Sequence, residues 1–318
     1  MRLVRHAGDL PFTYLAEGSV VTIGAFDGIH LGHQQLLRRV VDIATENGMP
    51  AVAMSFEPMP KEFFLREKPP ARLMRFREKY DALAERDVRL FFCPRFNAAM
   101  RDISAADFIR QILVHGLNVR HLVVGDDFRF ARRREGSLDD LRRVGPALGL
   151  AVEQVPSVIV DDVRVSSTAI RDALASGNMG RATALLGRPY RMSGRIVRGR
   201  RVGRTLGYPT ANVDLRRRQS AVMGIFAVRV YGLPEGPVDG VASVGTRPTF
   251  DLAKPLLEVH LFDFDRDIYG EYIHVDFLEH LRNEEKFASI DDLVAQMRLD
   301  EENARSALAG AKRSHEPA

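Results

Sequence analysis

The stretch that decides the fold is Val20-Val-Thr-Ile-Gly-Ala-Phe-Asp-Gly-Ile-His-Leu-Gly-His-Gln34. Its first seven residues form an apolar run that predicts a buried strand, and Gly28 permits a sharp turn. Apolar spacing after the turn predicts a helix over residues 31–46. His30 and His33 therefore lie on one helical face at a helix N-terminus, where free backbone N–H groups bind anions. This arrangement favours phosphate chemistry, and two ordinary polar residues at a helix start are the alternative.

From about Val20 to Gly180 the chain alternates short apolar runs with amphipathic stretches. This alternation is typical of strands joined by helices in a parallel sheet. The predicted strands are 20–26, 51–56, 89–93, 121–125 and 151–155, and the predicted helices are 31–46, 75–85, 105–113 and 138–148. We therefore expect a doubly wound α/β domain with its ligands at the carboxyl ends of the strands.

The pattern changes after two short predicted helices, at 168–175 and 180–186. Runs with a period of two residues follow, separated by glycine-rich and proline-rich turns, and they predict a small antiparallel barrel or sandwich. These predicted strands are 195–197, 225–230, 238–244, 256–262 and 272–277. A last helix is predicted from Ser289, which forms a capping box with Asp292. The expected domains are 1–186 and 187–310, followed by a disordered tail over 311–318.

The composition, with 45% apolar and 28% charged residues, is that of an ordinary soluble globular protein. The single cysteine, Cys93, excludes intrachain disulfides and cysteine-rich metal sites. The N-terminal residues contain neither a signal peptide nor a transmembrane run, so we expect a cytoplasmic protein.

The net charge of +4 conceals clusters of arginine. They lie at 132–134, 142–143, 191–204 and 216–218. Clustered arginine favours ligands that carry phosphate, either nucleotides or nucleic acid. A solvated basic face is the alternative for each cluster.

A second group of candidate phosphate ligands is Val165-Ser-Ser-Thr-Ala-Ile-Arg171. Ser166 or Ser167 can cap the helix that starts near Thr168, and Arg171 lies one turn into that helix. Together with the two histidines, this segment would form a two-part nucleotide clamp. A helix cap with a nearby arginine is the structural alternative.

A third candidate is the segment 194–212, which combines four glycines with arginines and a Pro-Thr-Ala-Asn tetrad. Glycine lets a backbone wrap closely around phosphate. Thr210 and Asn212 alternate on one side of an extended segment, where two oxygens could bind Mg²⁺. The segment lacks the Gly-Lys-Ser/Thr pattern of a P-loop. A glycine-rich hairpin with an exposed basic face is the alternative.

The first two groups resemble the signature motifs of the prokaryotic bifunctional riboflavin kinase/FMN adenylyltransferase (FAD synthetase) family. Those motifs are Gly24-x-Phe-Asp-Gly-x-His-x-Gly-His33 and Ser167-Thr-x-Ile-Arg171. The resemblance implies a Rossmann-like nucleotidylyltransferase domain that transfers adenylate from ATP to FMN and releases pyrophosphate, mostly by positioning and charge neutralisation. It implies that His30 and His33 stabilise the transition state. The implied ATP-binding residues are Gly24, Phe26, Asp27, Gly32, Ser167, Thr168 and Arg171.

Segments 56–64 and 124–130 resemble the parts of this family that hold the flavin. Prolines and phenylalanines suit a flat isoalloxazine ring. The implied flavin-binding residues are Pro58, Pro60, Asp126, Asp127 and Phe128. Two positions depart from the family pattern: Met59 stands where many relatives carry His, and Ala131 stands where glycine is common. We expect the first change to be tolerated and the second to affect the loop geometry.

The second half resembles the riboflavin kinase domain, which implies a six-stranded antiparallel barrel with a terminal helix. The matching segments are 203–212, 224–228, 244–250, 257–261, 269–270 and 281–287. The resemblance implies that Glu258 is the general base for attack of the ribityl hydroxyl on the γ-phosphate. The implied ATP-binding residues are Gly199, Gly203, Gly207, Thr210 and Asn212, with Thr210 and Asn212 also binding Mg²⁺, and the flavin-binding residues are Arg282 and Phe287. An outward-facing strand residue is the alternative for Glu258.

The expected reactions convert riboflavin to FMN and then FMN to FAD, with ATP as co-substrate, in two separate sites. The expected partners are small molecules only, without nucleic acid or membrane, and the chain is expected to be a monomer or a weak homo-oligomer. Two alternatives stay open. The basic barrel could bind nucleic acid with Tyr208, Phe226 and Tyr231 as stacking rings, or the first site could use a cytidylyl or pantetheine-phosphate acceptor.

Overall fold

The computed structural model of the protein describes residues 1–199, 203, 206–247 and 254–313. The chain forms two compact units. The first comprises residues 1–70 and 74–165, and the second comprises residues 71–73 and the described residues from 166 onward. The helices between 167 and 186 therefore cluster with the second unit, whereas the predicted domain boundary lies after residue 186.

The first unit contains a six-stranded sheet in which every strand pairing is parallel. Its strands are β1 Arg2–Val4, β2 Ser19–Ile23, β3 Ala51–Met54, β4 Leu90–Phe92, β5 Val119–Gly125 and β6 Ala151–Val155. They lie in the order β1-β4-β3-β2-β5-β6. The predicted parallel α/β sheet is confirmed. The edge strand β1 was not predicted, because a three-residue strand carries too little periodicity to be recognised.

The helices of this unit are α1 Leu31–Glu46, α2 Pro60–Phe64, α3 Phe76–Ala84, α4 Ala98–Asp102, α5 Ala105–Asp107 and α6 Leu138–Val144. Helix α5 continues as a π-helix over Phe108–Gly116. The helix predicted over 138–148 is interrupted, because Pro146 opens a separate 3-10 turn. A short hairpin of β7 Ile159–Val160 and β8 Val163–Arg164 completes the unit.

Both faces of the parallel sheet are covered, as two neighbouring residues of β2 show. Val21 packs in a cluster with Phe108 and Leu122, whereas Val20 packs with Val40 and other α1 residues. Successive strand residues point to opposite faces, so apolar side chains fill the space on each side. The doubly wound arrangement leaves the carboxyl ends of the strands available for ligands.

The second unit contains a closed six-stranded antiparallel barrel. Its strands are β9 Tyr190–Val197, β10 Ala211–Asp214, β11 Gly224–Tyr231, β12 Val238–Arg247, β13 Lys254–Leu261 and β14 Tyr272–Arg282. They close in the order β10-β13-β12-β11-β14-β9. Helices α7 Ser167–Ala175 and α8 Met179–Leu186 precede the barrel. The barrel implied by the family resemblance is therefore confirmed.

The last helix, α9 Ile290–Arg313, packs on the outside of the barrel. Its start is as predicted, since Ser289 Oγ accepts a hydrogen bond from the Asp292 backbone at 3.1 Å. Ala304 and Leu308 anchor α9 in an apolar cluster with Phe262. The helix continues through residues 311–313 of the expected disordered tail, and residues 314–318 lie outside the described residues.

Candidate active sites

The loop between β2 and α1 is built on unusual backbone angles. Phe26, Gly28 and Ile29 have positive φ values of 47°, 93° and 45°. Such values are strained for phenylalanine and for β-branched isoleucine, and both side chains are held there by complete burial. The turn also buries Asp27 and His30. Strain of this kind is concentrated in proteins at sites that bind ligands.

His30 and His33 lie side by side at the N-terminus of α1. Their rings stack with centroids 3.7 Å apart, and His30 Nδ1 accepts a hydrogen bond from the His33 backbone N–H at 3.3 Å. Because Nδ1 accepts, the neutral His30 ring carries its proton on Nε2. Gly32 lies against this ring, and a Cβ at that position would meet it at 3.4 Å, an ordinary contact distance.

Burial lowers the pKa of both histidines. Desolvation takes the pKa of His30 from 6.5 to about 4, although its backbone and the charge of Asp127 act in the opposite direction. The pKa of His33 is well below 6.5, first because of desolvation and then because of repulsion from His30 and Lys79. Both rings are therefore neutral at pH 7. Among the described residues nothing forms a hydrogen bond with the buried Nδ1 of His33.

Gly24 and Asp27 support the shape of the same loop. A Cβ on Gly24 would lie 3.2 Å from the ring of Phe26, which is tight for a real side chain. Asp27 is buried, and its Oδ1 accepts a hydrogen bond from the Met74 backbone N–H at 2.9 Å. This oxygen therefore positions a neighbouring segment of the first unit.

Two acidic residues follow the end of β5. Arg164 donates a hydrogen bond to Asp126 Oδ1 at 2.8 Å and lies 3.3 Å from Asp127 Oδ2. Ser157 also donates to Asp126, at 2.9 Å. The arginine thus ties the β7–β8 hairpin to both predicted flavin-binding carboxylates.

The predicted flavin-binding prolines lie within an aromatic segment. Pro60 is the first residue of α2, and Pro58 lies two residues before it. Phe96 makes ring contacts with the segment, at centroid distances of 5.3–5.9 Å from Phe56, Phe63 and Phe64. Met59 is buried at the helix start, so the core accommodates a methionine there.

The loop after β5 contains the second departure from the family pattern. Ala131 has φ 66° and ψ −174°, a backbone region that is almost restricted to glycine. The alanine therefore occupies a strained position. The predicted flavin-binding residue Phe128, three residues earlier, stacks on Phe130 with ring centroids 5.7 Å apart.

The serine-rich segment caps α7 through Ser166, whose Oγ accepts a hydrogen bond from the Ala169 backbone at 3.1 Å. Ser167 and Thr168 are the first two residues of the helix. Arg171 donates from Nε to the carbonyl of Ala71 at 2.6 Å. These residues lie in the second unit and the two histidines lie in the first, so the two halves of the predicted clamp belong to different units.

The second candidate site is a row of side chains on the outer face of the barrel. Strand pairing aligns five residues of five strands in this row, Asn212, Glu258, Ser243, Ile225 and Arg282. Residues directly opposite each other in paired strands project from the same face. The neighbours of Glu258 along β13 are fully buried in the barrel interior, so the row faces outward.

A cavity of about 350 Å³ lies over four members of this row, from Glu258 to Arg282, and Asn212 is not among its lining residues. It brings together five residues that the resemblance implied for the kinase, namely Gly203, Thr210, Glu258, Arg282 and Phe287. Helix α9 supplies a wall through Leu293, Met297 and Asp300. These α9 residues were not predicted, because helical periodicity does not indicate which side of a helix faces a cavity.

Two glycines allow the chain near Thr210 to pack closely. A Cβ on Gly199 would collide with the buried side chain of Asn212, and a Cβ on Gly203 would collide with the carbonyl oxygen of Tyr208. Gly207 instead has φ 82° with open space around it, so its role is to permit a turn. The glycines therefore shape the segment that carries Thr210 and Asn212, and none of this packing depends on phosphate.

Arg282 is held by an acidic partner. It forms two hydrogen bonds with Asp300, at 2.8 and 2.7 Å, and Gln296 donates to the same carboxylate at 2.9 Å. The pair raises the pKa of Arg282. The guanidinium carbon lies 5.7 Å from the ring centroid of Phe287. The two predicted flavin-binding residues thus lie together beside α9.

The arginine clusters are partly explained by ion pairs within each unit. Each of the four clusters has members that pair with carboxylates, through Arg132–Glu135, Arg142–Asp139, Arg143–Asp140, Arg191–Asp276 and Arg216–Asp214. Arg217 is buried and donates to the carbonyls of Arg72 and Leu73. These contacts account for some of the arginines, and binding of phosphate by the others stays a prediction. Arg200, Arg201 and Arg204 lie outside the described residues.

Comparison with known proteins identifies both halves of the chain. Residues 13–169 match the FAD synthetase family and residues 186–308 match the riboflavin kinase family. The bifunctional riboflavin kinase/FMN adenylyltransferase of Escherichia coli (strain K12) is 47% identical over 289 residues, which cover 91% of this chain and 92% of that protein. The chain belongs to the bifunctional riboflavin kinase/FMN adenylyltransferase family. It is a transferase with both activities, and riboflavin, FMN and ATP are its substrates.

Other family members are similar over most of their length. The protein of Pseudomonas fluorescens is 43% identical over 310 residues, covering 97% of this chain and 98% of that one. The protein of Haemophilus influenzae is 43% identical over 291 residues, covering 91% and 94%. A solved structure described as a macrolide-efflux protein from Streptococcus pneumoniae superposes with a TM-score of 0.81 at 32% identity, covering 95% and 98%. In the described part of this chain, no helix has the length and hydropathy needed to cross a membrane.

Proposed function

We propose that the outer face of the barrel is the riboflavin kinase site, with Glu258 as its general base. The observation that carries this proposal is the row from Glu258 to Arg282 beneath the 350 Å³ cavity, with Asn212 paired to Glu258 on the neighbouring strand. Glu258 takes the proton of the ribityl hydroxyl as that oxygen bonds to the γ-phosphorus. The bond between the γ-phosphorus and the bridging oxygen breaks, and ADP leaves with the electron pair.

The proposal includes a magnesium ion held by Thr210, which lines the cavity, and by Asn212, which is paired to Glu258 on the neighbouring strand. Their hydroxyl and amide oxygens are hard donors, and the Glu258 carboxylate is the direct cross-strand neighbour of Asn212. Mg²⁺ commonly takes only one or two protein ligands and completes its shell with phosphate and water. When bound, it neutralises charge on the transferring phosphate. Thr210 and Asn212 would orient the phosphates relative to Glu258.

For the adenylyltransferase, we propose that His30 and His33 stabilise the charge that develops on the α-phosphate of ATP. Both imidazoles are neutral at pH 7, so they act as N–H donors and not as fixed cations. His30 Nε2–H and the free N–H groups of α1 supply donors in a water-poor site. An FMN phosphate oxygen bonds to the α-phosphorus, and pyrophosphate leaves.

Product analysis of the wild type tests the two activities on which these assignments depend, and the variants of Glu258, His30 and His33 given in the Discussion test the residues. The purified protein, incubated with riboflavin, ATP and Mg²⁺, should form FMN first and FAD later on chromatography. Chelation of Mg²⁺ should stop the formation of FMN. Absence of any flavin product would contradict the proposal. The cytoplasmic location and the monomeric or weakly oligomeric state stay predictions, and light scattering on the same sample measures the latter.

A further inference from the structure

The 350 Å³ cavity over the outer face of the barrel, here called the kinase cavity, contains an imidazole that has no part in the proposed reaction. His260 lies on β13 two residues beyond Glu258, so both side chains project from the outer face of the barrel. Its Nδ1 lies 2.9 Å from the carbonyl oxygen of Pro209. A carbonyl can only accept a hydrogen bond, so Nδ1 carries the proton and donates it.

The bonded carbonyl belongs to a short segment between a turn and a strand. Tyr208 donates its backbone N–H to the carbonyl of Gly203 at 2.8 Å, and the ladder of β10 begins only at Ala211. Pro209 has no N–H with which to anchor itself. His260 therefore holds the segment at the residue that directly precedes Thr210.

The same imidazole also packs on this segment. Its ring meets the ring of Tyr208 edge-on, with centroids 5.2 Å apart. Tyr208, Thr210 and His260 all line the kinase cavity. One side chain of β13 thus fixes the segment by a hydrogen bond and by an aromatic contact, from the same strand that carries Glu258.

We propose that His260 is a positioning residue of the riboflavin kinase site, which holds the Pro209 carbonyl and so sets the direction of the Thr210 hydroxyl toward the nucleotide phosphates. The proposal rests on the proposed function of this cavity. Since His260 orients a residue that binds nucleotide, its loss should weaken use of ATP and leave riboflavin binding unchanged. Removing one hydrogen bond of this kind should change the affinity about fivefold.

The test compares His260→Leu with His260→Asn in the full-length protein. Leucine and asparagine have similar shapes, but only asparagine offers an N–H donor near the position of Nδ1. In His260→Leu, the KM for ATP in FMN formation should rise about fivefold, while the KM for riboflavin stays within about twofold. His260→Asn should restore most of the ATP affinity. Conversion of FMN to FAD by the same samples serves as the internal control and should be unchanged in both variants.

A structural readout accompanies the kinetics. Amide hydrogen exchange of the peptide spanning 206–212 should be faster in His260→Leu than in the wild type, and close to wild type in His260→Asn. This measurement separates the proposal from the proposed function, because it reports on the segment even if the wild type forms no FMN. An unchanged KM for ATP in His260→Leu would overturn the positioning role. Equal defects in the two variants, or a parallel loss of FAD formation, would also overturn it, since the hydrogen bond would then not be the cause.

Discussion

Arg282 of β14 and Asp300 of α9 form a bidentate ion pair that ties the last helix to the barrel beside the kinase cavity. The two hydrogen bonds measure 2.8 and 2.7 Å, and the aspartate is 4% exposed. A buried carboxylate of this kind is stable only with its partner in place. The pair therefore keeps Arg282 in place. It also positions Leu293 and Met297 of α9, which form a wall of the cavity.

Replacing Asp300 with asparagine should weaken riboflavin binding. The change leaves Arg282 without its carboxylate and should cost about 3 kcal/mol of stability, typical of a broken buried pair. We expect the KM for riboflavin to rise about tenfold and FMN-to-FAD conversion to be unchanged. Steady-state kinetics and thermal unfolding measure both effects. The exposed Glu302 on the same helix offers the control Glu302→Gln, which should change neither quantity. A folded Asp300→Asn protein with the wild-type KM would contradict the prediction.

Glu258→Gln should abolish the kinase step selectively. Glutamine keeps the shape of the side chain but cannot accept the proton of the ribityl hydroxyl, so FMN formation should fall by at least about 100-fold. FMN supplied directly should still be converted to FAD. Chromatography of flavins from the two starting substrates measures each step separately.

The adenylyltransferase counterpart of Glu258→Gln is a double variant in the first unit, His30→Asn with His33→Asn. It should stop conversion of FMN to FAD and leave FMN formation intact. If either folded variant lost both activities, the assignment of two separate sites would be wrong.

The buried histidines should make the protein less stable in mild acid. His30 has a folded pKa of about 4, below the 6.5 of an unfolded chain, so the unfolded state binds the proton more readily. Its contribution is complete above about pH 6.5 and is lost as the pH falls toward 4. Between pH 7 and 5 this single group should reduce the free energy of unfolding by about 2 kcal/mol.

Urea unfolding at these two pH values tests that slope. His30→Asn retains a side-chain oxygen for capping α1 but does not titrate. Its stability should therefore depend less steeply on pH, with the remaining dependence partly due to His33. Equal slopes for the variant and the wild type would show that His30 is not the group responsible.

Ala131→Gly should stabilise the first unit. Glycine adopts φ 66° with ψ −174° without the steric cost that alanine pays, which is about 1–3 kcal/mol for such regions. Ala99→Gly in α4 is the control, and it should destabilise by about 1 kcal/mol because its backbone is helical. Thermal unfolding measures the stability of both variants. A lower melting temperature for Ala131→Gly would mean that the loop does not adopt this conformation.

Local patterns predicted much of the architecture. The bounds of α1 were predicted to the residue, since a 16-residue amphipathic helix between a glycine turn and Asn47 contains its own start and stop signals. The strand β6 was also predicted with the observed ends. The edge strand β1 was missed because three residues are too few to show a periodicity. The π-helix at 108–116 was missed because its apolar spacing resembles that of an α-helix.

The sequence by itself determined the class of each unit, the pair of histidines at the start of α1 and the resemblance to enzymes that transfer phosphoryl and adenylyl groups to flavins. Only the tertiary structure decided that Glu258 lies between Asn212 and Ser243, that Asp300 neutralises Arg282, and that burial keeps both histidines uncharged. The physical reason is that periodicity and motifs report on neighbours along the chain. Strand register, ion pairing and desolvation depend on residues that are distant in sequence and meet only when the barrel closes and the sheet is covered.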